Sequence, residues 1–158
     1  MTSGHRYTAA MSPTTPIAPN AGAEPTPEEL VHMLRRAGIS PTAQRLEVAR
    51  VLLAKPQHLA AEQVLAQLTQ QGVSVSKATV YNTLGLFAER GLVREVFVDA
   101  TRVFYDSNAS SHYHFYNVDD GTLADFPSEA INVNGMPPAP EGTETESVDI
   151  VVRVRNRS

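Results

Sequence analysis

The hydrophobic period of this chain changes at Gly91, and that switch limits the folds open to it. Before the glycine, apolar residues recur at helical spacing. Val80, Leu84 and Phe87 at i, i+4 and i+7 mark one face of a helix over residues 76–90. Beyond it the alternation is by two: residues 92–98, a turn at Asp99-Ala100 and residues 101–105 read as a β-hairpin. Helices gathered ahead of strands predict an α+β protein.

The upstream sequence supplies further helices. The first covers residues 27–37, with Leu30, Val31 and Leu34 inward and Gly38 as its stop. A second opens at Ser40-Pro41, with serine as N-cap and proline in the first turn. It turns Leu46, Ala49 and Leu53 inward and halts before Pro56. A third starts at Gln57-His58-Leu59, where His58 either caps the helix or serves chemistry. It carries Ala61, Val64, Leu65 and Leu68, and ends at Gly72. Helices followed by a hairpin make a winged helix-turn-helix, expected over residues 28–105. Residues 1–27, rich in Pro, Ala, Thr, Ser and Gly without periodicity, are expected to be a disordered tail.

The helix over residues 76–90 suits DNA recognition. Lys77, Thr79, Tyr81 and Asn82 fall largely off its apolar stripe. Lysine meets phosphate, asparagine pairs bidentately with adenine, and tyrosine and threonine contact the thymine methyl. Arg45 on the second helix, and Arg94 and Arg102 on the hairpin wing, complete the expected DNA-contacting set. The net charge of −4 does not oppose this, because it is unevenly spread. Residues 30–94 hold eight Lys/Arg against three acids, whereas residues 95–150 hold Arg102 alone against eleven Asp/Glu. The basic part can meet phosphates by counterion release, and the acidic part can hold a cation. For most single charges the plain reading, a solvated face, holds.

Residues 106–158 are expected to form a small dimerisation domain. Strands are predicted over 112–118, 122–126 and 148–154, a short helix near 127–131 and a Pro-rich loop over 135–142. So few strands call for pairing with a second copy, and a two-fold homodimer suits a palindromic site on double-stranded DNA. There is no cysteine, hence no disulfide and no thiolate zinc site. No stretch is long enough to span a bilayer and no secretory signal is visible, so the expected compartment is the cytoplasm.

His112-Tyr113-His114 lies on a predicted strand, where alternate side chains share a face. Two imidazoles so placed can chelate one ion. Asp106, Asp125 and His58 are further candidates, although Asp106 in Asp-Ser-Asn is equally a turn former. Nitrogen and oxygen ligands without sulfur suit Fe2+ or Mn2+, with Zn2+ as an in vitro occupant. A small metallohydrolase is the reading from another class. It lacks a general base beside the ligands and a nucleophile motif, so a non-enzyme is expected. A DNA-binding module whose histidines merely pack is the remaining alternative.

The order and spacing of several pieces resemble the ferric uptake regulator (Fur) family. They are Arg35 through Arg45, His58-Leu59-Ala60-Ala61-Glu62, Ala78 through Leu84, His112-Tyr113-His114, and Gly121 leading to Asp125-Phe126. The resemblance implies a winged helix, a dimerisation domain and a regulatory metal held between them by His58, Asp106, His112, His114 and Asp125. It also implies base contact by Tyr81 beside Asn82, on AT-rich pseudopalindromes. The chain departs from the family pattern where paired cysteines would clamp a structural zinc, because Asn117 and Asp120 stand at the first pair. Ser111 and Tyr113 likewise replace ligands of an additional site, and Ser40 a basic minor-groove residue.

Those losses make the chain similar to the iron response regulator (Irr) subgroup, which also lacks the cysteines. That subgroup shares the Asp106-Ser107-Asn108 stretch and a terminal strand like residues 149–155. Similarity there implies control of iron and haem homeostasis genes, haem ligation at His112 or His114, and a haem-synthesis partner such as ferrochelatase. A peroxide-sensing repressor of the same family (PerR-like) matches the ligand spacing too.

Overall fold

The computed structural model describes residues 23–158, so residues 1–22 of the expected tail lie outside the described residues. The first helix, α1 (Pro27–Arg36), is set by a capping box. The Thr26 hydroxyl accepts from the Glu29 amide at 3.2 Å, and the Glu29 carboxylate accepts from the Thr26 amide at 2.7 Å. Helix α2 (Ala43–Leu52) starts later than the sequence suggested. Its N-cap is Thr42, not Ser40. Pro41 biases Ser40 away from helical backbone, and the Ser40 carbonyl takes up the Thr42 amide at 2.9 Å instead. The buried side of α2 is also broader than expected, with Val48, Ala49, Val51 and Leu52 inward and Leu46 only partly covered.

His58 does not cap a helix. It forms, with Leu59, the short strand β1 (His58–Leu59). The free edge of a later strand supplies backbone partners there, and the flanking Gln57 is tied to Ser107 by amide–carbonyl and amide–hydroxyl bonds of 3.0 and 3.1 Å. Helix α3 (Ala61–Gln70) then begins without a capping hydroxyl. The Gln63 side chain closes its end by accepting from the Ala60 amide at 2.8 Å. Helix α4 (Lys77–Glu89) is capped by Ser76 and stops before Gly91, whose φ of +70° is open to glycine at little cost.

The hairpin follows as β2 (Arg94–Phe97) and β3 (Val103–Asp106), and β1 joins it to give the sheet order β1-β3-β2, all antiparallel. A second sheet holds β4 (His112–Asn117), β5 (Leu123–Pro127) and β6 (Val151–Val154) in the order β5-β4-β6. Strands β4 and β6 run parallel, and residues 128–150, including a 3-10 turn at Ser128–Ala130, make the crossover. Strand β6 is shorter than the predicted 148–154, because β4 offers it partners only from His114 to Asn117.

Two cores result. The larger lies among the four helices and the helix-facing side of the hairpin, with Leu34, Leu52, Leu84 and Phe87 fully buried. The smaller lies between the two sheets, where Val96, Val98 and Phe104 meet Tyr116. Strand alternation divides the hairpin between them, with Tyr105 in the first core and Phe104 in the second. Among the described residues, no helix is long and apolar enough to cross a membrane.

Candidate metal centre and nucleic-acid face

The gap between the sheets is apolar at one end and polar at the other. Asp106 is two residues beyond Phe104 on β3, so alternation turns it toward the second sheet. By the same rule His112 and His114 share the inner face of β4 with Tyr116. Register does the rest. His58 pairs with Asp106 across β1–β3, and Asp125 pairs with His114 across β4–β5. All five expected ligands therefore meet at the polar end of one gap.

The distances are short. Asp106 Oδ2 lies 2.7 Å from His112 Nε2, 3.2 Å from His114 Nε2 and 3.8 Å from His58 Nε2. Asp125 Oδ1 lies 2.7 Å from His58 Nε2, 3.6 Å from His114 and 3.7 Å from His112. The tightest set is His58, Asp106, His112 and His114, whose donor atoms all fall within 4.8 Å of one another. Asp125, one-third exposed, stands at its rim, where Asn108 Nδ2 donates to its other oxygen at 3.0 Å.

These residues fit a cation. The His112 and His114 Nε2 atoms are 3.1 Å apart and buried, and His58 Nε2 is buried without a hydrogen bond of acceptable angle, despite its nearness to Asp125. Donors bound to one ion at about 2.0–2.2 Å sit roughly 3 Å apart, the spacing seen here. A set of three imidazoles and two carboxylates suits Fe2+, Mn2+ or Zn2+. The second shell agrees, since His112 Nδ1 is 2.6 Å from the Ser110 carbonyl, which favours a proton there and leaves Nε2 for a metal. Burial alone would raise the Asp106 carboxyl. Hydrogen bonds with His114 and the Asn108 amide, the His58 charge and the His112 bond outweigh it and hold the group below its ordinary range. Asp106 thus stays an anion although buried. It is also the turn former, accepting the Asn108 amide at 2.8 Å. A haem plane would reach either Nε2 only after the two sheets part.

The recognition helix buries Val80, Leu84 and Phe87 and exposes Lys77, Tyr81 and Asn82. Thr79 and Asn82 line a cleft with Arg45 between α4 and α2, and Arg45 donates to the Ser40 carbonyl at 3.1 Å. Lys77 lies over the Tyr81 ring at 5.6 Å. The Tyr81 hydroxyl donates to the Glu62 carboxylate, a bond that lowers the Glu62 carboxyl and raises the Tyr81 phenol. Sequence reasoning missed Glu62 as a partner, although its place in the first turn of α3 was available. The two wing arginines turn toward the second sheet. Arg102 donates to the Tyr116 hydroxyl at 3.0 Å, and Arg94 reaches the Ser110 carbonyl and His112 Nδ1, each at 3.2 Å. Alternation from Val96 would have signalled this for Arg94. At the first expected cysteine pair, hydrogen bonds tie the turn instead. Asn117 Nδ2 donates to Asp120 at 3.1 Å and to Asn156, at the end of β6, at 2.8 Å.

Known proteins resemble this chain over most of its length. The profile of the ferric uptake regulator family matches residues 36–153. A peroxide-responsive repressor, PerR, of Staphylococcus aureus is 32% identical over 105 residues, or 66% of this chain and 71% of the relative. The structure of the ferric uptake regulator from Pseudomonas aeruginosa with manganese superposes with a TM-score of 0.61 at 27% identity, covering 80% of this chain and 97% of that one. The Vibrio cholerae ferric uptake regulator gives a TM-score of 0.65 at 22% identity over 80% of this chain and 98% of that one, a likeness of fold.

Proposed function

This chain belongs to the ferric uptake regulator family, and from that premise we propose that it is an iron-responsive transcription regulator of the Irr kind. At the coarser level it is a metal-dependent, DNA-binding regulator and not an enzyme. The observation that carries the finer reading is the convergence of His58 and Asp106 from one sheet with His112, His114 and Asp125 from the other. An ion bound there draws the sheets together and fixes the angle between the winged helix and the dimerisation unit. In a homodimer that angle sets the spacing of two recognition helices on a pseudopalindrome, a coupling between distinct sites. The outer face of β4 and β5 suits the pairing surface. Tyr113 and Phe115 lie there against Phe126, with ring centroids 5.9 and 4.6 Å apart, and Phe115 stays exposed.

The subgroup assignment is supported by the missing cysteines, the Asp106-Ser107-Asn108 turn and the terminal strand β6. Haem-triggered release, with a haem-synthesis enzyme such as ferrochelatase as donor, belongs to the same proposal and requires the sheets to open. The test is DNA affinity at fixed salt with Fe2+, Mn2+, haem or no effector. Fe2+ and haem are expected to change it in opposite directions, and His114→Ala to abolish the Fe2+ response. Equal affinity in all four conditions sinks the reading.

A second reading, peroxide sensing, is favoured by the PerR relatives and by three imidazoles around one iron position. Mass spectrometry of the iron-loaded protein after peroxide separates the two. Added oxygen on His58 or His112 supports the sensor, and its absence removes it.

A further inference from the structure

Two roles compete for Arg94. The wing position suits a phosphate contact, yet the guanidinium sits at the metal centre. Arg94 shares a face of β2 with Val96 and Val98 and lies directly across the ladder from Asp106. Its Nη2 is 3.9 Å from Asp106 Oδ2 and 3.2 Å from both His112 Nδ1 and the Ser110 carbonyl. Yet its side chain is 48% exposed, so it stands at the mouth of the centre with water behind it.

Two arguments set this guanidinium against an ion in the same place. The first is charge: a divalent cation between Asp106 and the imidazoles repels a guanidinium within a few ångströms, and the carboxylate that attracted it is then shared with the metal. The second is hydrogen bonding. An imidazole bound through Nε2 carries its proton on Nδ1, where it donates to the Ser110 carbonyl 2.6 Å away. That nitrogen can no longer accept from Arg94.

We propose that Arg94 is a tethered counter-cation of the metal centre: it steadies Asp106 and His112 while the ion is absent, and the ion displaces it and frees it for a DNA phosphate. The inference rests on the metal reading given above and makes Arg94 a positioning residue linking the two sites. Linkage then requires that DNA holding Arg94 raise metal affinity by the factor that metal, acting through Arg94, raises DNA affinity.

The test uses the full chain with Arg94→Gln and Arg94→Lys, and His114→Ala as the control for the site. Mn2+ affinity is measured without DNA, by competition with a fluorescent chelator. Arg94→Gln is expected to bind Mn2+ on the order of tenfold more tightly than the wild type, the size typical of outer-shell changes. Arg94→Lys, which keeps the charge, is expected to stay near the wild type. An Arg94→Gln affinity equal to or weaker than wild type overturns the proposal, as does equal tightening by Arg94→Lys. Wild-type protein that binds no Mn2+ through His114 overturns the metal reading with it. In the Mn2+-saturated protein, the slope of log DNA affinity against log salt is expected to fall by roughly 0.9 per protomer in Arg94→Gln. An unchanged slope removes the phosphate half of the proposal. Since the side chain is half exposed, melting temperatures near wild type are expected for both variants.

Discussion

Leu34, Leu52, Leu84 and Phe87 are wholly buried among the helices, while the gap between the two sheets holds only Val96, Val98, Phe104 and Tyr116 before it turns ionic. One core is closed by apolar area and is indifferent to solutes. In the other, three imidazoles, two carboxylates and a guanidinium crowd together. Burying charges stabilises a structure only when every one is compensated. The helical core therefore makes the reading head rigid, and the sheet–sheet joint makes its orientation conditional on what fills the polar end.

Four measurements would break or sharpen that contrast. Phe87→Ala should cost about 3–5 kcal/mol in denaturant unfolding, from lost burial and the cavity left behind. The loss should be the same with and without Mn2+, and a metal-dependent loss would mean that the two cores are not separate. Next in size, Mn2+ at about 100 times its dissociation constant should stabilise the wild type by about 2.7 kcal/mol. That gain should vanish in His114→Ala, and calorimetry with a chelator control reads it.

Tyr81→Ala with Asn82→Ala should reduce discrimination between cognate and altered operators by about 1–3 kcal/mol. Mn2+ affinity should not change, because both residues lie on α4 away from the joint. A binding-site selection that returns the wild-type motif would remove these residues from base reading. The smallest effect concerns acid. A carboxyl whose folded value is depressed contributes stability that is present above its unfolded value and is lost as pH falls through the folded one. Asp106 is such a group. The metal-free stability difference between wild type and Asp106→Asn should therefore narrow below about pH 3.9. A difference that stays constant down to acid unfolding would show that Asp106 is not held as an anion.

Much of this was legible in the chain. The stripe Val80–Leu84–Phe87 and the period change at Gly91 placed α4 and the hairpin, since side-chain spacing follows directly from backbone geometry. Harder to read were His58 and the start of α2. Leu59 and the residues after it look helical in isolation, and only the open edge of β3 makes His58 a strand residue. The start of α2 depended on which of two nearby hydroxyl residues caps it, and Pro41 decided in favour of Thr42.

By itself the sequence determined which elements form and which side chains carry chemistry, because propensity, period and donor type are local properties. What only the tertiary structure decided was register: His58 opposite Asp106, Arg94 on its other side, and Asp125 opposite His114. A slip of one residue would turn every one of those side chains to the other face. Strand pairing, set by long-range packing, is therefore what converted separated donors into a single centre and put an arginine of the wing at its edge.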